Sequence, residues 1–241
     1  MMRLLVSVRS VDEALLAAAG GADFIDLKEP GQGALGGLPV PTIRAIVAAL
    51  HERRIRLPVS ATIGDLAMHE LSTIQARVHA VAACGVDYVK VGIESEPEAA
   101  AVLGWLAGCG HAVVPVFIAD RGLDPALLAT ALSLGFPGLM ADTADKLAGC
   151  LFDVLPLPVL KDFVARSRAA GTMVGLAGAL RASHAPVLAQ LSPDFAGFRS
   201  AVCDGPRSAA LDAVRLRALV GTMRQAESMA RPQRDAARIV V

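Results

Sequence analysis

The sequence has no stretch approaching 18 uninterrupted apolar residues, although 54% of its 241 residues are hydrophobic and its mean hydropathy is +0.52. A spanning helix needs about 20 such residues, so no membrane segment is expected. The beginning, MMRLLVSVRS, lacks a long apolar core and a small-residue cleavage site, and it reads as a first strand, not a signal peptide. Excess charge of either sign is missing as well. The 23 basic residues face 23 acidic ones, which argues against a sequence-independent nucleic-acid binder. Cys84, Cys109, Cys150 and Cys203 are scattered without a CxxC pair, so a disulfide framework is excluded and a reducing cytoplasm is expected. His51, His69, His79, His111 and His184 have no metal-ligand spacing, and no metal site is expected. No GxSxG elbow points to a hydrolase. The segment after the first strand, VSVRSVDEA, contains no glycine and so no dinucleotide fingerprint.

What is present is a regular alternation. Short apolar runs that read as strands (RLLVSV at 3–8, DFIDLK at 23–28, LPVSAT at 57–62, VDYVKVG at 86–92) are followed by longer Ala- and Leu-rich amphipathic segments. The pattern continues with strands at 112–118, 138–142, 172–177 and 194–199 and a last helix at 207–225. The strands are continuous apolar runs, as in a parallel sheet buried on both faces. Eight such units of about 30 residues predict a single (β/α)8 barrel over 1–226, with a doubly wound open sheet as the alternative. The polar remainder, 227–241, is expected to be a C-terminal tail that could be disordered or a docking arm. GGADFIDLK, CGVDYVKVG and SPDFAGFRS share a helix-ending turn, an Asp and an apolar strand; LGFPGLMADT is a looser copy without the first Asp. A quarter-barrel repeat of this kind suits a closed eightfold sheet.

Lysine is the scarce cation: 4 lysines stand against 19 arginines, and three of the four fall at or just after strand ends. In a barrel the strand carboxyl ends carry the active site. Lys28, Lys90 and Lys146 are therefore the catalytic candidates, while Lys161 on a helix is expected to be a solvated surface residue. A guanidinium stays protonated, whereas an amine among other cations has a lowered pKa and can attack a carbonyl to form a Schiff base. The plain alternative is that these lysines bind an anion or pair with carboxylates. Asp26 lies two residues before Lys28, on the same inward face, and Asp142 ends the sixth strand; either can orient an amine or move protons. Asp23, Asp87 and Asp194 begin their strands and are expected at the opposite mouth in structural roles.

Lys28 leads into EPGQGALGG, four glycines in nine residues, which predicts a mobile loop over the mouth. The eighth loop, RSAVCDGPR, offers Arg199, Gly205 and Arg207 before the last helix, and Gly178 after strand seven with Arg199 and Gly205 is expected to line a phosphate site, where helix N-termini favour anions. Ser60 and Thr62 end strand three and line the site. These features stop at a Schiff-base aldolase or lyase acting on a small phosphorylated carbonyl, or a non-catalytic barrel that binds one.

The segments LLVSV, GGADFIDLKEPGQGALG, VSATIGD, DYVKVGI, MADTADK, LAGAL and FRSAVCDG resemble the (5-formylfuran-3-yl)methyl phosphate synthase family over nearly the whole chain. The resemblance implies a barrel lyase needing no metal or organic cofactor. It would condense two molecules of glyceraldehyde 3-phosphate into 4-(hydroxymethyl)-2-furancarboxaldehyde phosphate, the furan precursor of methanofuran, with loss of phosphate and water. It implies the Schiff-base role for Lys28 and proton transfer for Lys90, supported by Lys146, Asp26 and Asp142. The expected partners are the small-molecule substrate and, given the apolar composition, further copies of the chain in a homo-oligomer.

Overall fold

The computed structural model describes residues 1–145 and 149–239, with 231–239 as backbone only. Eight parallel strands, each paired with the next in sequence, close into a barrel when the eighth meets the first. They are β1 (Arg3–Val8), β2 (Phe24–Leu27), β3 (Val59–Thr62), β4 (Tyr88–Ile93), β5 (Val113–Ile118), β6 (Gly138–Asp142), β7 (Met173–Leu176) and β8 (Phe195–Phe198). The outer layer is α1 (Val11–Ala19), α2 (Val40–Glu52), α3 (Leu71–Ala82), α4 (Ala99–Gly108), α5 (Pro125–Ser133), the short α6 (Leu151–Val154), α7 (Leu157–Ala169), α8 (Ala185–Leu191) and α9 (Ala213–Ile239). The expected (β/α)8 barrel is the fold. No helix among the described residues is long and apolar enough to cross a membrane.

Strand alternation divides the inner and outer faces. Outward residues such as Val6, Ile25, Leu27, Ala61, Val89 and Val91 pack under the helices in the main hydrophobic layer. Inward residues fill the barrel: Leu5, Phe24, Val114, Val116, Met140, Ala177 and Phe195 form a second apolar cluster inside it. Phe24 and Phe195 lie with ring centroids 5.6 Å apart. Gly175 makes room for them, because a Cβ there would sit 2.1 Å from the Phe195 ring. Above this apolar floor the same alternation turns polar, with Ser7, Asp26, Ser60, Thr62, Lys90 and Asp142 all buried.

The three strand-leading aspartates share one structural job at the floor end. Asp23 Oδ2 accepts from Leu4 N (2.8 Å), Asp87 Oδ2 from Val59 N (2.7 Å) and Asp194 Oδ2 from Val174 N (2.8 Å). In each case the aspartate's own N–H returns to the carbonyl of the same partner residue. The repeat seen in the sequence is thus a two-bond staple between an odd strand and the even strand that follows. Pro137 holds the corresponding place before β6; it has neither a carboxylate nor an N–H, so the β5–β6 pair has no such staple.

The last helix differs from expectation at both of its ends. It begins at Ala213, not at 207, because Cys203 and Leu211 form an antiparallel bridge and the Asp212 carboxylate caps Arg215 N at 2.7 Å. It then continues past 226 to Ile239. Glu227 is buried at 6% exposure and accepts from the backbone N–H of Met2, which ties the helix to the first strand. Removing one staple, as in Asp194→Ala, strands the Val174 N–H and should cost about 1–3 kcal/mol in urea denaturation.

Candidate active site

The inward pair predicted on β2 is there. Asp26 is wholly buried and Lys28, one residue past the strand end, is 5% exposed. Both border a cavity at the carboxyl mouth of the barrel, with about 420 Å³ of empty volume counted to its open end. Lys90 of β4 and Asp142 of β6 border the same cavity, so four of the five expected catalytic residues meet in one place. Lys146 lies outside the described residues. Lys161 is exposed on α7, as expected.

Two ion pairs organise the mouth. Lys90 Nζ donates to Asp26 Oδ1 at 2.9 Å, and Lys28 Nζ stands 3.7 Å from Asp142 Oδ2. Asp26 accepts two further bonds, from Ser60 Oγ to Oδ1 (2.7 Å) and from Ser7 Oγ to Oδ2 (2.9 Å). Burial by itself would push the Asp26 carboxyl up; the Lys90 ammonium, then Lys28, then the Ser60 hydroxyl outweigh it and hold Asp26 below the ordinary value of 3.8. Ser60 is therefore a support for Asp26 and does not itself border the cavity. Asp142 is oriented by the N–H of Thr143, which donates to its Oδ1 at 2.8 Å.

The glycine-rich loop is not the loose cover its composition suggests. Glu29 N donates to Gly36 O (2.8 Å), Thr62 Oγ1 donates to the same carbonyl (2.9 Å), and Asp65 Oδ1 accepts from Leu35 N (2.9 Å). Leu35, 1% exposed, reaches down into the apolar cluster inside the barrel. The glycines here permit tight turns within an anchored structure. Thr62 does not border this cavity; it holds this loop.

The expected phosphate group is only partly assembled. Gly178 borders the cavity with φ +109°, and a Cβ on it would come within 3.0 Å of the Thr143 side chain, so glycine is required for loops six and seven to pack. Gly205 is exposed and does not border the cavity. Arg199 borders the cavity, but its side chain is directed elsewhere. Its guanidinium makes a bidentate pair with Glu13 (2.6 and 3.1 Å) and donates to Ser7 O (3.1 Å), Arg207 O (2.9 Å) and Ala209 O (2.6 Å). All five of its N–H donors are spent inside the protein. The expectation that Arg199 and Gly205 hold a phosphate is corrected: Arg199 locks the eighth loop to β1 and α1.

Sequence reasoning missed Ser7, Glu13 and Asp65. Ser7 had a usable signal, since it shares the inward face of β1 with Leu5. Glu13 and Asp65 had none, because their partners are 186 and 30 residues away. Among the described residues no group of three or more His, Cys, Asp or Glu is placed to hold a metal.

Comparison with known proteins agrees with this architecture. Residues 4–220 match the family model described as 4-HFC-P synthase. A chain of Methylorubrum extorquens provisionally named (5-formylfuran-3-yl)methyl phosphate synthase is 42% identical over 98% of this chain and 95% of its own length. The (5-formylfuran-3-yl)methyl phosphate synthase of Archaeoglobus fulgidus is 35% identical over 86% of this chain and 93% of its own. Among solved structures, phosphoribosyl anthranilate isomerase from Thermus thermophilus superposes with a TM-score of 0.64 at 20% identity, covering 93% of this chain and 99% of that one, a likeness of fold alone.

Two outcomes follow from the geometry. Arg199→Ala removes the bidentate partner of the buried Glu13 carboxylate, which keeps the Arg9 N–H at 3.0 Å and a longer contact to the Arg9 side chain, and should lower stability by about 3 kcal/mol in urea denaturation. The Asp26 pKa is depressed by folding, so its contribution to stability is present above the unfolded value of 3.8 and is lost as pH falls through the lower folded value. Asp26→Asn should therefore be less stable than wild type at pH 7, and the two urea midpoints should converge below about pH 4.

Proposed function

The chain belongs to the 4-HFC-P synthase family, and from that premise we propose that it condenses two molecules of glyceraldehyde 3-phosphate through a Schiff base on Lys28. The product in this reading is 4-(hydroxymethyl)-2-furancarboxaldehyde phosphate, formed with release of one phosphate and water, as a step of methanofuran biosynthesis. The observation that carries the reading is the pair of buried lysine amines, each beside its own carboxylate, at the mouth of the barrel.

Lys28 is the nucleophile of choice because it borders the cavity at its mouth and stands 3.7 Å from a carboxylate that can move a proton. Asp142 takes the proton from the Lys28 ammonium and returns it to the carbinolamine hydroxyl, which leaves as water. The resulting iminium withdraws electrons from the neighbouring carbon and acidifies it; Asp142, ionised again once water has left, takes that carbon's proton, and the enamine so formed adds to the second aldehyde. Lys90 is held by the ionised Asp26 and is suited to protonate the oxygen of the second aldehyde as the new carbon–carbon bond forms. Elimination of phosphate, ring closure and loss of water complete the furan. The work of the scaffold is to hold the two amines and their carboxylates in fixed positions above a dry apolar floor.

Incubation with glyceraldehyde 3-phosphate should raise furan absorbance and free phosphate together. An aldol product without phosphate release would replace this reading with that of a conventional Schiff-base aldolase. Borohydride in the presence of substrate should label Lys28, located by mass spectrometry. Lys28→Arg keeps the charge but not the nucleophile, and turnover should fall by about three orders of magnitude or more. Lys90→Arg should still form the adduct and stall afterwards. An adduct on Lys90 with Lys28 unmodified in the wild type would reverse the two roles.

A further inference from the structure

We propose that Arg207 is the residue that recognises the phosphate of the substrate and so sets the preference for a phosphorylated over a plain aldehyde. The proposal rests on the reading above that the substrate is a phosphorylated aldehyde. It starts from the cations among the described residues that border the cavity: Lys28, Lys90, Arg199 and Arg207. Lys28 faces Asp142, Lys90 faces Asp26, and Arg199 has spent all its donors on Glu13 and three carbonyls. Arg207 differs from all of them. Among the described residues it has no carboxylate within ion-pair distance, and its side chain makes one hydrogen bond, from a terminal nitrogen to Gly33 O at 3.3 Å. The other four N–H donors meet no acceptor among the described residues.

Arg207 is nevertheless half-buried, and burial lowers its hold on its proton against the opposing pull of Asp142. A guanidinium taken partly out of water without an anionic partner is costly, and an arriving dianion removes that cost. Its backbone is fixed, because the Arg207 carbonyl accepts from Arg199 Nε at 2.9 Å, so the fork projects from an anchored point. The planar fork can meet two phosphate oxygens at once. Loop seven supplies donors on the same cavity. Ala179 is held at φ +47°, in the left-handed region, directly after Gly178 at φ +109°. Among the described residues the N–H groups of Ala179 and Leu180 have no acceptor. Backbone strain in a non-glycine residue is tolerated where the surroundings impose it, and here it sits on the wall of the cavity that Arg207 also borders. The side-chain bond that Arg207 makes among the described residues reaches Gly33 O, so a phosphate met by the rest of its fork would lie beside the glycine-rich loop.

The test uses borohydride trapping of the full-length protein with glyceraldehyde 3-phosphate and with glyceraldehyde, each with and without inorganic phosphate as competitor. In the wild type, inorganic phosphate should compete with the phosphorylated aldehyde. Arg207→Ala should raise the concentration needed for half-maximal trapping of glyceraldehyde 3-phosphate about 10- to 100-fold. It should leave glyceraldehyde trapping unchanged and abolish the competition by phosphate. Arg207→Lys should recover part of the loss. Arg207→Gln, which keeps a donor for Gly33, guards against a collapsed loop and should behave as the alanine variant does. Equal effects on both aldehydes, or no effect on either, would overturn the assignment. If the wild type traps neither aldehyde, the Schiff-base reading fails. The Arg207 assignment is then decided by thermal protection with inorganic phosphate: protection present in the wild type and lost in Arg207→Ala supports it, and any other pattern overturns it.

Discussion

The mouth of this barrel depends on one buried carboxylate. Asp26 is fully enclosed, yet it stays ionised because an ammonium and two hydroxyls converge on it from three neighbouring strands: Ser7 on β1, Ser60 on β3 and Lys90 on β4. An isolated charge in that place would be prohibitively costly, and an isolated Lys90 equally so. Together they form a polar layer that is satisfied throughout; no buried side-chain nitrogen or oxygen among the described residues lacks a hydrogen-bond partner. The position of Lys90 is thereby dictated, and with it the geometry that Lys28 and a substrate meet. Lys28 stands 3.7 Å from Asp142 Oδ2 on the far side of the same mouth.

The same logic of alternation builds the rest. Each strand sends every second side chain inward, so the interior is a stack of layers in which apolar residues fill the floor and polar ones the mouth. Phe195 and Phe24 close the floor only because Gly175 has no side chain. The glycine-rich loop, pinned by Asp65 and Thr62, lowers Leu35 into the interior from above. The eighth loop is pinned in turn by Arg199 and Glu13. The glycine-rich loop that reads as mobile is thus an anchored wall, as is the eighth loop, and among the described residues Arg207 and loop seven keep unspent donors.

How much of this was legible in the sequence can be seen residue by residue. Asp26 and Lys28 declared themselves by a spacing of two on an apolar run, which puts both on one face of a strand. The scarcity of lysine singled out Lys90. The strand-leading aspartates were marked as structural by their position, and the staples bear that out. Arg199 misled because it stands in a loop where anions commonly bind. That its donors would be exhausted by Glu13, 186 residues earlier, is invisible to any local pattern. Arg207, in the same loop, carried no signal that distinguished it from Arg199.

The sequence by itself determined the closed eight-stranded barrel, the inward face of each strand and the family, because strand period, helix period and motif order are local properties repeated along the chain. Only the tertiary structure decided which cation pairs with which carboxylate. Ion pairing follows distance in space and the removal of water. Folding brings residues of β1, β2, β4, β6 and β8 and of three loops to one mouth, and there the allotment of partners among the described residues leaves Asp26 charged, Arg199 spent and Arg207 open.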